Sequence, residues 1–427
     1  QYVEMQSGRL VNQGTEKSAF TPFKHHGFAP YATDIWKEYW YPVLKTKGYV
    51  EANEYGALNI KIEKDWIKIY FSPVQAINDK LEIKQGEKIL YSKQLSLKPL
   101  KTFADSIRTE GYAQFITATL GGNKLVYQSD SKANVLSRPV ETPKDFDWKG
   151  LYGLYVQGKE NMDQKLYPAA EEKLLASLKI DPNYLPSLVK MAELKYRNVL
   201  YPEALEYAKK ALSIDTHHGA SNYYYGLINV QLGNITDAKD AFNFAVLSPE
   251  YRSAAYTALA RIYLKEKNFE KSWQNADKAV SFNRYNMDAL QLQAVILRLQ
   301  NKPAQAAEVL KNILQLDPLN HFARFERYIA NPSEKYKTDF TSLIRNEMPI
   351  QTYLELGIWY YTSGNASEAE KVFLLSPTSV ETMYWLSFLQ DKKIDFSAVK
   401  PDFTFPFRSE SVLVIEELSK RQDDWII

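Results

Sequence analysis

The chain contains no cysteine. Disulfides and thiolate metal sites are therefore excluded. The compartment stays open, because cysteine-free chains occur in oxidising and reducing surroundings alike. An excess of one charge sign is also lacking. Lys+Arg 53 against Asp+Glu 51 leaves a net charge of +2 over 427 residues. So weak a field does not recruit nucleic acid or an anionic membrane, and neither is expected as a partner. No apolar run approaches the roughly 18 residues that suggest a membrane span. Glycine is sparse, at 17 residues, and forms no phosphate-cradling loop. Only 5 histidines occur, and no Ser-His-Asp or HExxH arrangement is present. No cofactor is expected.

Aromatic residues, in contrast, reach 14% of the chain, driven by 30 Tyr. The length is a prior for about two to four domains. The chain opens "QYVEMQSGRL", as if already in a strand, and ends "DDWII" directly after an amphipathic helix. Both ends read as cut, so a fragment of a longer protein is expected.

Residues 1 to about 135 read as strands and turns. "YGALNIKIE" (55–63) and "WIKIYFSPV" (66–74) alternate with period 2 around Lys64-Asp65, a hairpin signal. "KLEIKQ", "EKILYSKQLSL", "AQFITATL" and "KLVYQSD" follow, with "GGN" (121–123) as a turn between the last two. These six strands predict a small immunoglobulin-like β-sandwich over 51–136. Residues 1–50 hold strand-like pieces that do not complete a domain alone. "SRPVETPKDFD" (137–147) reads as a linker.

From 148 to 427 the pattern is helical and periodic. Ala170, Ala204, Ala238, Ser272 and Ala306 lie 34 apart, as do Gly158, Ala192, Gly226, Ala260 and Ala294. A third series is Ser177, Ala211, Ala245 and Ala279, with Ile313 in the next place. Small side chains at fixed spacing are what closely crossing helices require. The array resembles the tetratricopeptide repeat, whose period is 34 residues. "YLELGIWYYTSGNASEAEKVFLLSP" (353–377) is a further repeat, but Ala369 lies 63 after Ala306. A shortened, irregular unit is therefore expected at about 320–350. The fold class predicted is α and β in separate domains, a β-sandwich part followed by a helical repeat solenoid.

The segment "GFAPYATDIWKEYWYPV" (27–43) carries most of the chemistry. Read as a strand, it places Trp36, Glu38 and Trp40 on one face. Two indoles around a carboxylate suit a sugar site: rings stack on C–H faces, and the acid bonds hydroxyls or moves a proton. The alternative is a sandwich face with Glu38 bonded to a Tyr or an Arg. "VEMQSGRL" followed by this segment resembles the late strands of galactose-mutarotase-type β-supersandwiches. That resemblance implies Glu38, followed by Tyr41-Pro42, in the place of the catalytic base. The mutarotase acid histidines would lie upstream of this chain, and epimerase activity is not implied. "IWKEYWYP" and "GALNIKI", with the order of parts, resemble a bacterial family of uncharacterised proteins. Its members join a mutarotase-like supersandwich to a small β-domain and then tetratricopeptide repeats. This implies a carbohydrate-related role and no particular reaction. Arg9, His25 and Tyr31 complete the candidate glycan site. His25 and His26, adjacent on a strand, point to opposite faces, so no metal is expected.

For the repeats, the question is the groove lined by each first helix. Some tetratricopeptide domains clamp carboxylates with Lys and Asn at the fifth and ninth positions. Here those positions read Tyr155/Lys159, Val189/Glu193, Tyr223/Leu227, Thr257/Arg261 and Gln291/Val295, so the clamp is absent. Tyr196, Arg197, Tyr223, Arg261, Lys265 and Arg298 remain as a surface for a partner protein or for the chain's own β part, with a solvated groove as the alternative. Three readings result. One is a scaffold in which the β part engages a glycan and the repeats a protein. Another is a glycoside-active enzyme using Glu38 and an acid from upstream, since such enzymes need two carboxyls about 5–9.5 Å apart. The third is a purely structural module.

Overall fold

The computed structural model describes residues 27–109, 111, 115–134, 145–393, 395, 399 and 404–422. Arg9, His25, His26 and most of the linker lie outside them. By their contacts the described residues from 35 to 134 form one unit, and residues 27–34 join those from 145 onward in a second.

The first unit is a β-sandwich of eight strands: β1 (Glu51–Asn53), β2 (Gly56–Glu63), β3 (Trp66–Pro73), β4 (Ile77–Gln85), β5 (Lys88–Leu97), β6 (Phe103–Arg108), β7 (Ile116–Leu120) and β8 (Leu125–Gln128). The sheets have orders β1-β2-β3-β6 and β5-β4-β7-β8, all neighbours antiparallel. The chain changes sheet at β3–β4, β5–β6 and β6–β7, a Greek-key pattern found in immunoglobulin-like sandwiches. Leu58, Ile67, Ile69 and Phe71 of one sheet and Leu81, Ile83, Ala118 and Leu120 of the other form one sealed core. The hairpin register pairs Glu63 with Trp66, so Lys64-Asp65 is a two-residue turn, with Lys64 at φ 35°. Gly121 (φ 56°) and Gly122 (φ 75°) supply the left-handed turn before β8.

Strands β1 and β6 were not expected. Strand β6, "FADSIR", is an edge strand paired only to β3. Its Asp105 stays half-exposed, bonded to Lys93 at 2.8 Å and to the Tyr91 hydroxyl at 2.8 Å. An edge strand needs few apolar residues, so its hydrophobic alternation is weak.

The second unit is a solenoid of helical hairpins. Its pairs are α1 (Leu151–Asp163) with α2 (Tyr167–Ile180), α3 (Leu185–Arg197) with α4 (Tyr201–Ile214), and α5 (Gly219–Gln231) with α6 (Ile235–Ala245). Next come α7 (Arg252–Lys265) with α8 (Phe269–Phe282) and α9 (Met287–Leu299) with α10 (Pro303–Leu316). The short pair α11 (His321–Ala330) and α12 (Glu334–Thr341) occupies the place of the irregular unit. Then α13 (Pro349–Thr362) pairs with α14 (Ala366–Leu375), and α15 (Val380–Gln390) and α16 (Ser409–Arg421) end the array. All three series of residues spaced 34 apart are buried. Val414 and Leu418 of α16 are sealed, while Val412 and Leu413 are 40% and 51% exposed.

A left-handed residue closes the first helix of the five regular hairpins at the same period: Lys165, Val199, Gly233, Lys267 and Asn301, all with φ between 57° and 79°. It turns the chain sharply into the second helix.

Candidate functional site

Most of the fifth and ninth positions face a groove, while Val189, Thr257 and Val295 are buried and line neither of its clefts. Tyr155, Lys159, Glu193, Tyr223 and Leu227 line one cleft of about 720 Å3, and Arg261 and Gln291 help to line a second of about 600 Å3. Residues 27–30 form part of the first cleft, and Tyr31, Ala32 and Thr33 part of the second. The segment expected as a strand is thus not one. Residues 27–33 lie along the groove of the solenoid, and no strand covers 34–50 among the described residues.

Tyr31 anchors the segment. Its hydroxyl donates to Asp288 Oδ2 at 2.6 Å. Asp288 also accepts from Arg261 Nη2, at 2.6 and 2.5 Å to its two oxygens, and from Trp359 Nε1 at 2.5 Å. Asp288 stands in the first turn of α9, where the helix N-terminus favours a carboxylate. Arg261 reaches Thr362 Oγ1 at 3.2 Å, so α7, α9 and α13 meet at one point. The backbone is read as well. Asn283 Nδ2 donates to the Tyr31 carbonyl at 2.6 Å and to Thr33 Oγ1 at 3.1 Å. Tyr31 is 40% exposed overall, yet its hydroxyl end is deeply buried. Burial, and then Asp288, push that hydroxyl well above its usual range. Burial opposes the charge of Arg261, but Asp288 outweighs it and holds the guanidinium above its ordinary pKa.

The turn that delivers Tyr31 is strained. The Ala32 N–H donates to the Ala29 carbonyl at 2.9 Å, with Pro30 and Tyr31 at the corners. Tyr31 has φ 55°. This is the position of a type II turn that glycine or asparagine ordinarily fills. A bulky residue there costs on the order of 1–3 kcal/mol. A hydrogen bond to a charged acceptor, worth about 1.5–3 kcal/mol, offsets it.

Other groove candidates divide between clefts and core. Glu193, 5% exposed, is clasped by Lys190 at 2.7 Å and by Arg197 at 2.8 Å. Burial works against its charge, but the two cations outweigh it and lower its pKa. Tyr196 and Arg197 line the first cleft. Lys265 lies against Gly364, and burial together with Arg261 lowers its pKa. Arg298 lines neither cleft. It donates to Glu326 at 2.8 Å and Glu368 at 3.0 Å, while the Tyr360 hydroxyl donates to Glu326 at 2.7 Å. That network joins α9, α11, α13 and α14, where the repeat period slips.

In the first unit, Trp36 Nε1 donates to Glu38 Oε1 at 2.9 Å and Trp40 Nε1 to Glu38 Oε2 at 3.3 Å. Trp36 and Trp40 are 53% and 70% exposed. The segment is seated on the sandwich just beyond them. Tyr41 donates its hydroxyl proton to the Asn53 carbonyl, and Leu44 is bonded by Ser72 and Thr102. Tyr31 belongs to the second unit, where its side chain is committed to Asp288.

Comparison with known proteins addresses the two parts separately. Residues 1–43 match the family described as Domain of unknown function (DUF5107). The TPR repeat-containing protein MJ1428 of Methanocaldococcus jannaschii is 28% identical over 185 residues, covering 40% of this chain and 32% of that protein. This chain therefore spans less than a third of that relative's length. Among solved structures, Pseudomonas aeruginosa pilF is 17% identical, with 48% of this chain and 96% of that one covered at a TM-score of 0.42. A tetratricopeptide repeat protein from Parabacteroides merdae is 15% identical, with 56% and 98% covered at a TM-score of 0.41.

Asp288, Asn283 and Trp359 escaped the sequence reading. Asp288 stands in the first turn of α9 and Asn283 just after α8, places that acids and amides commonly fill at helix ends. The one signal was Arg261, a cation at a groove position that called for an anion nearby.

Proposed function

We propose that this protein is a protein-interaction scaffold whose solenoid groove grips a short, tyrosine-bearing segment. The observation that carries this reading is the hold on residues 27–33, where Asn283 reads a backbone carbonyl and Asp288 a phenol. Hydrogen exchange on the full chain tests it. Replacing Asn283 by Ala should speed exchange across residues 27–34 and leave the protection of α7 and α9 in place. Unchanged exchange in that segment would mean that the groove does not hold it.

A second reading concerns Trp36, Glu38 and Trp40. We propose that they form a glycan-contacting face, in keeping with a mutarotase-like origin of residues 1–50 preceding the immunoglobulin-like domain at 51–136. Both indole N–H groups are tied to one carboxylate, which sets two exposed rings around an acid. A nucleobase stacked on an aromatic side chain contributes about 1–3 kcal/mol, and the flat C–H face of a sugar is expected to gain on the same order. Trp40→Ala should weaken glycan-array binding of the protein by that amount. Identical array profiles for the two proteins would remove the reading.

A further inference from the structure

We propose that residues 27–33 are a displaceable occupant of the groove, held in cis, and that the external partner is a protein presenting an extended segment with tyrosine in the place of Tyr31. The proposal rests on the groove reading above and adds a competition to it.

Three observations support it. The groove residues make a specific receptor for that chemistry. Asp288 is locked by Arg261 and Trp359 with one oxygen 2.6 Å from the phenol, and Asn283 reads the adjoining carbonyl. The occupant itself is a compromised ligand. Tyr31 carries φ 55° at a turn corner, a conformation that a tyrosine rarely adopts. A segment in trans that reaches the same contacts without that corner binds with less strain. Finally, the segment leaves room beside it, since clefts of about 720 and 600 Å3 remain on either side. An entering chain therefore gains contacts with Tyr155 and Gln291, which line those clefts and stay partly exposed. Covalent attachment gives the internal segment a high effective concentration, which compensates for its strain and keeps the groove closed to weak binders.

The competition has a simple form. When the groove is free only a fraction of the time, apparent affinity for an external segment falls by that fraction. The test uses the full chain and a fluorescent peptide with the sequence of residues 27–34, Gly-Phe-Ala-Pro-Tyr-Ala-Thr-Asp. Tyr31→Ala should bind this peptide about tenfold or more tightly than the parent. Adding Asn283→Ala to that variant should weaken binding again, and circular dichroism should show the helices intact throughout. Equal affinity of the parent and Tyr31→Ala would overturn the in-cis competition while leaving the groove reading standing. A folded Tyr31→Ala protein that fails to bind the peptide would overturn both.

Discussion

Val199 is a β-branched residue at φ 63°, where its Cβ crowds the neighbouring carbonyl. The same place is Gly233 and Asn301 in two other repeats, residues that tolerate the left-handed region. The fold imposes this conformation because the first helix must end there and reverse. Relief of a cost of roughly 1–2 kcal/mol, less the entropy that glycine adds to the unfolded chain, predicts a net gain. Val199→Gly should stabilise the protein by about 0.5–1 kcal/mol, read as a shift in the urea midpoint. A midpoint that stays put or falls would show that the half-buried Val199 side chain matters more than its backbone. Tyr31 shares this left-handed backbone for a different reason. Strain at Val199 recurs at a hinge of the architecture, whereas strain at Tyr31 is balanced by a specific bond to Asp288.

At the level of helix pairs, crossing is governed by complementary volume between a residue of the first helix and the one sixteen residues later. Gly158 faces Leu174, Gly226 faces Phe242 and Gly357 faces Phe373. Where the later residue is small, as at Ala208 and Ala276, the earlier one is Ala192 or Ala260, while Ala294 with Leu310 lies between. A Cβ added at Gly226 would sit 2.7 Å from the Phe242 ring. Gly226→Ala should therefore destabilise by about 1–3 kcal/mol through overpacking. Pairing it with Phe242→Leu should recover part of that loss, which a double-mutant cycle of denaturation midpoints measures. Strict additivity of the two changes would mean that the contact does not set the crossing. The small members of these pairs were legible in the sequence, because period 34 aligns Gly158, Ala192, Gly226, Ala260 and Ala294, while their partners sixteen residues later came only from the structure. The edge strand β6 was not legible, because a strand with one neighbour carries little apolar signal.

Across the whole molecule, what the sequence by itself determined is the order and kind of parts: a two-sheet β unit, then hairpins of helices, with one shortened unit where the period slips. Local physics suffices for that. Alternation of apolar residues specifies a half-buried strand, and small residues at a fixed period specify crossing helices. The groove positions were legible for the same reason, since residues at one place in the repeat share one face. Only the tertiary structure decided what occupies the groove. Residues 27–33 read as part of an aromatic strand with Trp36, Glu38 and Trp40, because short-range pattern cannot distinguish a strand from a turn held by a distant surface. The partners of Tyr31 are Asn283 and Asp288, more than 250 residues along the chain. Contacts at that separation leave no periodic trace. They exist because three inner helices converge on one carboxylate, which Arg261 and Trp359 hold in place for a phenol to meet.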